Sequence, residues 1–282
     1  MERLDALLFR DLVCEALKED LGHGDVTTTA LVPEEKKGQA VIKAKENLVL
    51  CGLPVALEVF RTVDPEIEFS SGLIDGQEVA RGETVARIRG RLSSILKAER
   101  VALNFLQHLS GVATQTRKFV RAIEGLPVRL VDTRKTTPGF RILEKYAVRV
   151  GGAHNHRFGL SDGVLIKDNH IRACGSITAA LARAREKLPH VYLIEIEVRD
   201  LDELKEALEA GAPAILLDNM DLETLGEAVS LAKKRAPGVI LEASGGIHLE
   251  NIRAVAETGV DIISVGRLTH SAPAVDLSLE VL

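Results

Sequence analysis

Residues 191–218 read VYLIEIEVRDLDELKEALEAGAPAILLD. The apolar run 191–198 is strand-sized with acids at alternate positions, and 214–218 is a second such run that ends in an acid. Between them, Leu201, Leu204, Ala207 and Leu208 recur at helical intervals, and Gly211 and Pro213 punctuate the return. The unit is strand–helix–strand, and the same reading extends outward in both directions. Further strands are predicted at 128–132, 163–167, 239–243 and 261–265, with helices at 176–188, 221–235 and 248–258. Six β/α units with short connections point to a parallel sheet rolled into an α/β barrel, whose functional groups gather where strands end and helices begin. An open doubly wound sheet is the alternative, because strand count alone does not fix closure.

The first hundred residues carry a different pattern: a helix at 4–18, β-rich stretches at 38–50 and 66–90 around a helix at 54–62, and a long helix from Ser94 past Phe105. An α+β domain over 1–107, which 269–282 is free to join, is therefore expected before a barrel domain over 108–268. The segment Asp75–Gly90 has the look of the paired hairpins of biotinyl and lipoyl carriers. No lysine lies between Asp64 and Arg91 to receive such a group, so the segment reads as scaffold.

A chain of 282 residues with 46% hydrophobic and 27% charged residues is long and apolar enough to bury a full core. Its three cysteines, Cys14, Cys51 and Cys174, are far apart and form no Cys-x-x-Cys pair, so they read as core residues. No apolar run approaches the roughly 20 residues that span a bilayer. Acids follow closely on Met1, as in an amphipathic helix and not a leader, and a cytoplasmic location is expected. The net charge of −5 argues against a nucleic-acid partner. Against that background, residues 129–172 hold nine Arg or Lys and four acids, a local excess of five positive charges that suits a small anionic ligand.

Within that window, Asp132-Thr-Arg-Lys-Thr-Thr-Pro-Gly139 follows the first barrel strand. Arg134 and Lys135 there offer a guanidinium fork and a point charge to a carboxylate or phosphate. In the stretch 154–170, His156 and Arg157 fall in a loop, and Lys167 ends a strand with its ammonium aimed at the barrel mouth. His154 and His156 have strand spacing, but no third soft ligand accompanies them to make a zinc site. Glu195 and Glu197 share one face of their strand, and Asp218 closes the next one. These acids either pair with Lys167 or Lys135 to hold the barrel, or face ribose hydroxyls and stabilise positive charge developing at an anomeric carbon. Glycine-bearing turns, Ala243-Ser-Gly-Gly-Ile247 and Ser264-Val-Gly-Arg-Leu268, close the last two strands, where barrels frequently bind phosphate.

These segments, together with Glu19–Thr28, Glu99–Leu106, Leu109–Thr114, Gly152–Arg157, Lys167–His170, Leu217–Asn219 and Ser244–Gly246, resemble the quinolinate phosphoribosyltransferase family over nearly the whole chain. The resemblance implies an N-terminal α/β sandwich followed by an incomplete, open α/β barrel. It implies transfer of phosphoribose from phosphoribosyl pyrophosphate to quinolinate with loss of carbon dioxide, a step of NAD biosynthesis, by a homodimer that borrows Arg100 across its interface. By the same resemblance, Thr133, Arg134, His156, Arg157 and Lys167 join Arg100 around the dicarboxylate. Lys135, Glu197 and Asp218 serve the ribose and pyrophosphate with Mg²⁺, held indirectly by Glu197 and Asp218. Ser244, Gly245, Gly246, Ser264, Gly266 and His270 surround the 5′-phosphate. Arg267 departs from the small residue expected after Gly266. The rival readings are a phosphoribosyltransferase for nicotinate or another acid, a Schiff-base aldolase using Lys135 or Lys167, and a non-catalytic binder of phosphorylated ligands.

Overall fold

The structure, a computed structural model, describes residues 4–282. Its chain divides into two compact units. One draws on the chain up to Arg117, Thr136–Gly152 and Leu268–Leu282; the other on Lys118–Lys135 and Ala153–Arg267.

The first unit holds β1 (Lys37–Ala44), β2 (Leu48–Val49), β3 (Glu68–Ser70), β4 (Glu78–Val79) and β5 (Thr84–Arg91). β1 is central in an antiparallel sheet, paired on one side with β5 and on the other with the C-terminal strand Leu277–Val281, while β3 covers the outer edge of β5. Its helices are α1 (Arg10–Leu21), α2 (Val26–Leu31), α3 (Leu53–Val63), the 31-residue α4 (Leu92–Ala122), which continues beyond the unit, and α5 (Arg141–Gly151). Phe60 of α3 meets Phe69 of β3 with ring centroids 5.7 Å apart, which ties helix to sheet and makes an α/β sandwich. The first helix begins at Arg10, not near residue 4: Asp5 caps a short 3₁₀ turn, Ala6–Leu8, and Phe9 at φ −137° breaks it from α1. At Gly151 a Cβ would lie 2.5 Å from Thr116 Cβ and 2.8 Å from the Ala113 carbonyl oxygen, so only glycine lets α5 pass α4 this closely.

The second unit is a six-stranded parallel sheet of β6 (Arg129–Val131), β7 (Val164–Ile166), β8 (Ile194–Val198), β9 (Ala214–Asp218), β10 (Ile240–Ser244) and β11 (Ile262–Ser264), in the order β6-β11-β10-β9-β8-β7. From β7 to β11 each strand pairs with its successor, and β11 then pairs with the first strand, β6. A doubly wound sheet would reverse its strand order at a switch point, and none occurs here. The sheet is an incomplete barrel whose seam falls between β6 and β7. There the chain returns as a single parallel bridge, His154 beside Val131. Helices α6 (Asp168–Cys174), α7 (Ile177–Lys187), α8 (Leu201–Glu209), α9 (Leu222–Arg235), α10 (Ile252–Glu257) and α11 (Arg267–His270) follow the strands. Ser176, Asp200 and Asp221 accept backbone N–H groups at the starts of α7, α8 and α9, which fixes where these helices begin. The β8 strand is shorter than its apolar run: Val191 and Leu193 are exposed because a Pro189–Tyr192 turn occupies the start of 191–198. α10 likewise starts only at Ile252, after a turn in which the His248 N–H donates to Asn251.

Among the described residues, no helix is long and apolar enough to cross a membrane.

Candidate active site

Strand geometry decides which side chains share the barrel interior. With alternate residues on one face, Glu195 and Glu197 of β8 line up with Ala214, Leu216 and Asp218 of β9 and with Glu242 and Ser244 of β10. Ser244 stands in register with both Asp218 and Ser264, so the C-terminal ends of three adjacent strands form one polar rim. A cavity of about 310 Å³ opens there. It gathers Thr133, Arg134 and Lys135 after β6, His156 and Arg157 before β7, Lys167 after β7, and Glu197, Asp218, Ser244, Gly245, Gly246 and Ser264. Twelve residues singled out from the sequence thus meet in one place. Gly266 lies just after Val265, whose N–H donates to the Val131 carbonyl at 3.0 Å. Arg100 and His270 are exposed residues of the other unit, and Arg267 is exposed as well.

The cations are held by local bonds. The Lys135 N–H donates to Thr133 Oγ1 at 3.0 Å, which tightens the turn that follows β6. Arg157 Nη1 donates to the Gly163 carbonyl at 2.9 Å. Burial, reinforced by the like charge of Arg134, lowers the proton affinity of the Arg157 guanidinium; neighbouring cations disposed in this way are an incipient anion site. Lys167 Nζ donates to Glu197 Oε2 at 2.5 Å. This is the pairing one sequence reading allowed. Because Glu197 is 9% exposed and the lysine side chain half-exposed, the pair lies at the cavity mouth, not within the core.

The glycine turn after β10 has a steric cause that the sequence conceals. Asn219 at φ +54° is the one non-glycine among the described residues in the left-handed region; its Nδ2 donates to Asp218 Oδ2 at 2.8 Å and its N–H to the Ser244 carbonyl at 2.8 Å. A Cβ on Gly245, itself at φ +90°, would lie 2.2 Å from Asn219 Oδ1. Gly245→Ala is therefore expected to raise KM for whatever substrate the cavity takes by about tenfold or more, since a strained turn must displace Asn219 and with it Asp218. An unchanged KM would mean that the turn takes no part in the site.

Two acids and one histidine form a cluster beneath the rim. His156 Nε2 lies 3.3 Å from Glu195 Oε2 and 3.4 Å from Glu242 Oε2, while the Arg157 N–H donates to Nδ1 at 2.8 Å. Burial opposes charge on the ring, but the two carboxylates outweigh it and raise its proton affinity; burial raises the Glu195 carboxyl too. Asp132, fully buried, accepts the His156 N–H at 2.8 Å and Asn155 Nδ2 at 2.7 Å. Sequence reasoning did not place Glu242, Asn219 or Asp132 in the site. For Glu242 a signal exists: an acid inside the apolar run Ile240–Ala243, the same mark that distinguished Glu195 and Glu197.

Cations beside the barrel seam, acids on the central strands and a glycine turn at the rim meet in one α/β-barrel cavity, the kind of site that suits a phosphorylated, anionic ligand. Comparison with known proteins narrows this class. The models of the N-terminal and C-terminal domains of quinolinate phosphoribosyl transferase match residues 25–110 and 112–280, and the chain belongs to that family. It is 48% identical over 265 residues to a probable nicotinate-nucleotide pyrophosphorylase (carboxylating) of Synechocystis sp., covering 94% of this chain and 90% of that protein. A Bacillus subtilis protein of the same name is 42% identical over 278 residues, covering 99% and 95%. The solved nicotinate-nucleotide pyrophosphorylase of Francisella tularensis superposes with a TM-score of 0.93 at 43% identity, covering 99% of this chain and 98% of that one.

Proposed function

We infer that this chain transfers phosphoribose from phosphoribosyl pyrophosphate to quinolinate and releases pyrophosphate and carbon dioxide, forming nicotinate mononucleotide. The observation that carries the reading is one cavity lined both by cations, Arg134, Arg157 and Lys167, and by acids, Asp218 and Glu197, with Lys167 and Glu197 meeting as an ion pair between the two sets. A pyridine bearing two carboxylates fits the first; a ribose whose anomeric carbon turns positive as its leaving group departs fits the second. Thr133 and His156 complete the acceptor side, and Arg100 of a second copy in a homodimer adds a further guanidinium. Lys135 faces the pyrophosphate. The backbone of Ser244–Gly246, with Ser264, Gly266 and His270, takes the 5′-phosphate.

Asp218 and Glu197 supply hard oxygen donors at the rim and would hold Mg²⁺ there indirectly. The chemistry it would supply when bound is charge neutralisation for the departing pyrophosphate. The protein's own part is to align: cations fix the acceptor so that its ring nitrogen faces the anomeric carbon, and the acids oppose the charge that develops there. Loss of the 2-carboxylate as carbon dioxide leaves its electron pair on C2, where the adjacent positively charged ring nitrogen stabilises it, and a proton from solvent then forms the C2–H bond. Schiff-base chemistry at Lys167 is disfavoured, because its amine is committed to Glu197.

The purified chain, given phosphoribosyl pyrophosphate and quinolinate, should yield one carbon dioxide per pyrophosphate. Pyrophosphate release with nicotinate but not with quinolinate would replace the reading with that of a nicotinate transferase.

A further inference from the structure

Glu242 has no part in the chemistry set out above, yet it is 2% exposed and faces the cavity from β10. One of its oxygens approaches His156 Nε2, and the other, Oε1, has no hydrogen-bond partner among the described residues. A buried carboxylate left half satisfied is costly unless it holds something in place. What it holds follows from the opposite side of the ring. Nδ1 accepts the Arg157 N–H, so a neutral imidazole here must carry its proton on Nε2, where it points between Glu242 and Glu195. The ligand atoms of these three residues lie within 4.8 Å of one another, as a cation site would require. A metal at Nε2 would displace that proton to Nδ1, against an N–H, so the hydrogen-bonded arrangement is favoured.

We propose that Glu242, with Glu195, is a positioning residue that fixes the His156 ring through its Nε2–H and thereby aims the Arg157 guanidinium at the acceptor's carboxylates. Asp132 grips the backbone of the same loop through the His156 N–H and Asn155, so 154–157 hangs between three buried acids from β8, β10 and the end of β6. The Gly163 carbonyl then receives Arg157 Nη1 and completes the aim. This inference rests on the assignment of Arg157 to the quinolinate side.

The test uses the full chain, labelled with ¹⁵N-histidine, as wild type, Glu242→Gln, Glu242→Asp and Arg157→Ala. Long-range ¹⁵N–¹H spectra should show a proton on Nε2 of His156 in the wild type, unchanged by added Zn²⁺. Glu242→Gln should raise KM for quinolinate about tenfold with kcat and KM for phosphoribosyl pyrophosphate moving about threefold or less, and Glu242→Asp should recover part of the loss. Equal shifts in both KM values, an Nε2 without a proton, or Zn²⁺ bound at Nε2 would each overturn it. Arg157→Ala separates the two levels of inference. If it leaves KM for quinolinate unchanged, the site assignment fails and the inference with it; if it shifts KM while Glu242→Gln does not, the positioning role alone is wrong.

Discussion

Asp218→Ala is expected to lower kcat by about 10²–10³-fold, with KM for quinolinate changing by only about threefold or less. A carboxylate some 4–5 Å from a developing unit charge, at an effective dielectric near 20, contributes about 3–4 kcal/mol, which is that range of rate. Asp218 is the cleaner probe of the acidic side, because removing Glu197 would also release Lys167. Asp218→Asn would separate charge from shape: it keeps a partner for Asn219 but removes the negative field, and should lose nearly as much as alanine. Single-turnover rates with both substrates saturating measure the effect. Full activity in Asp218→Asn would show that the field of this residue plays no part in catalysis.

Arg157→Ala should act on the other substrate, raising KM for quinolinate by about 10–100-fold, the worth of a charge-assisted hydrogen bond to a carboxylate. Because the guanidinium is anchored on Gly163 and turned toward the cavity, Arg157→Lys should rescue only partly: an ammonium is a point charge without the planar fork. Calorimetric titration of quinolinate checks the binding part directly. An equal loss in KM for phosphoribosyl pyrophosphate would place Arg157 on the sugar side instead.

Much of this arrangement was legible in the residues. The β/α repeat set the barrel strands to within a few positions, because buried parallel strands read as short apolar runs, and the acids at 195, 197 and 218 stood out as the polar exceptions within them. What escaped depended on neighbours distant in sequence. The requirement for glycine at 245 comes from a side chain 26 residues earlier, Asn219, in a backbone conformation that no local pattern announces. Glu242 was lost as a single acid in its run, where Glu195 and Glu197 signalled as a pair. The start of α1 was misplaced because apolar spacing over Leu4–Leu17 continues through a 3₁₀ turn that periodicity alone does not distinguish from α-helix.

The seam in the barrel has a consequence for how such a site can be altered. Each cation of the cavity comes from chain at the two strands that border the gap, whereas the carboxylates and the glycine turn come from strands bonded on both sides. On the proposed assignment, the acceptor's pocket draws mainly on the margin and the sugar's on the middle of the sheet, with Lys135 the one margin cation that serves the sugar's leaving group. Substitutions along the margin could re-tailor the choice of aromatic acid while the machinery for ribose transfer stays intact.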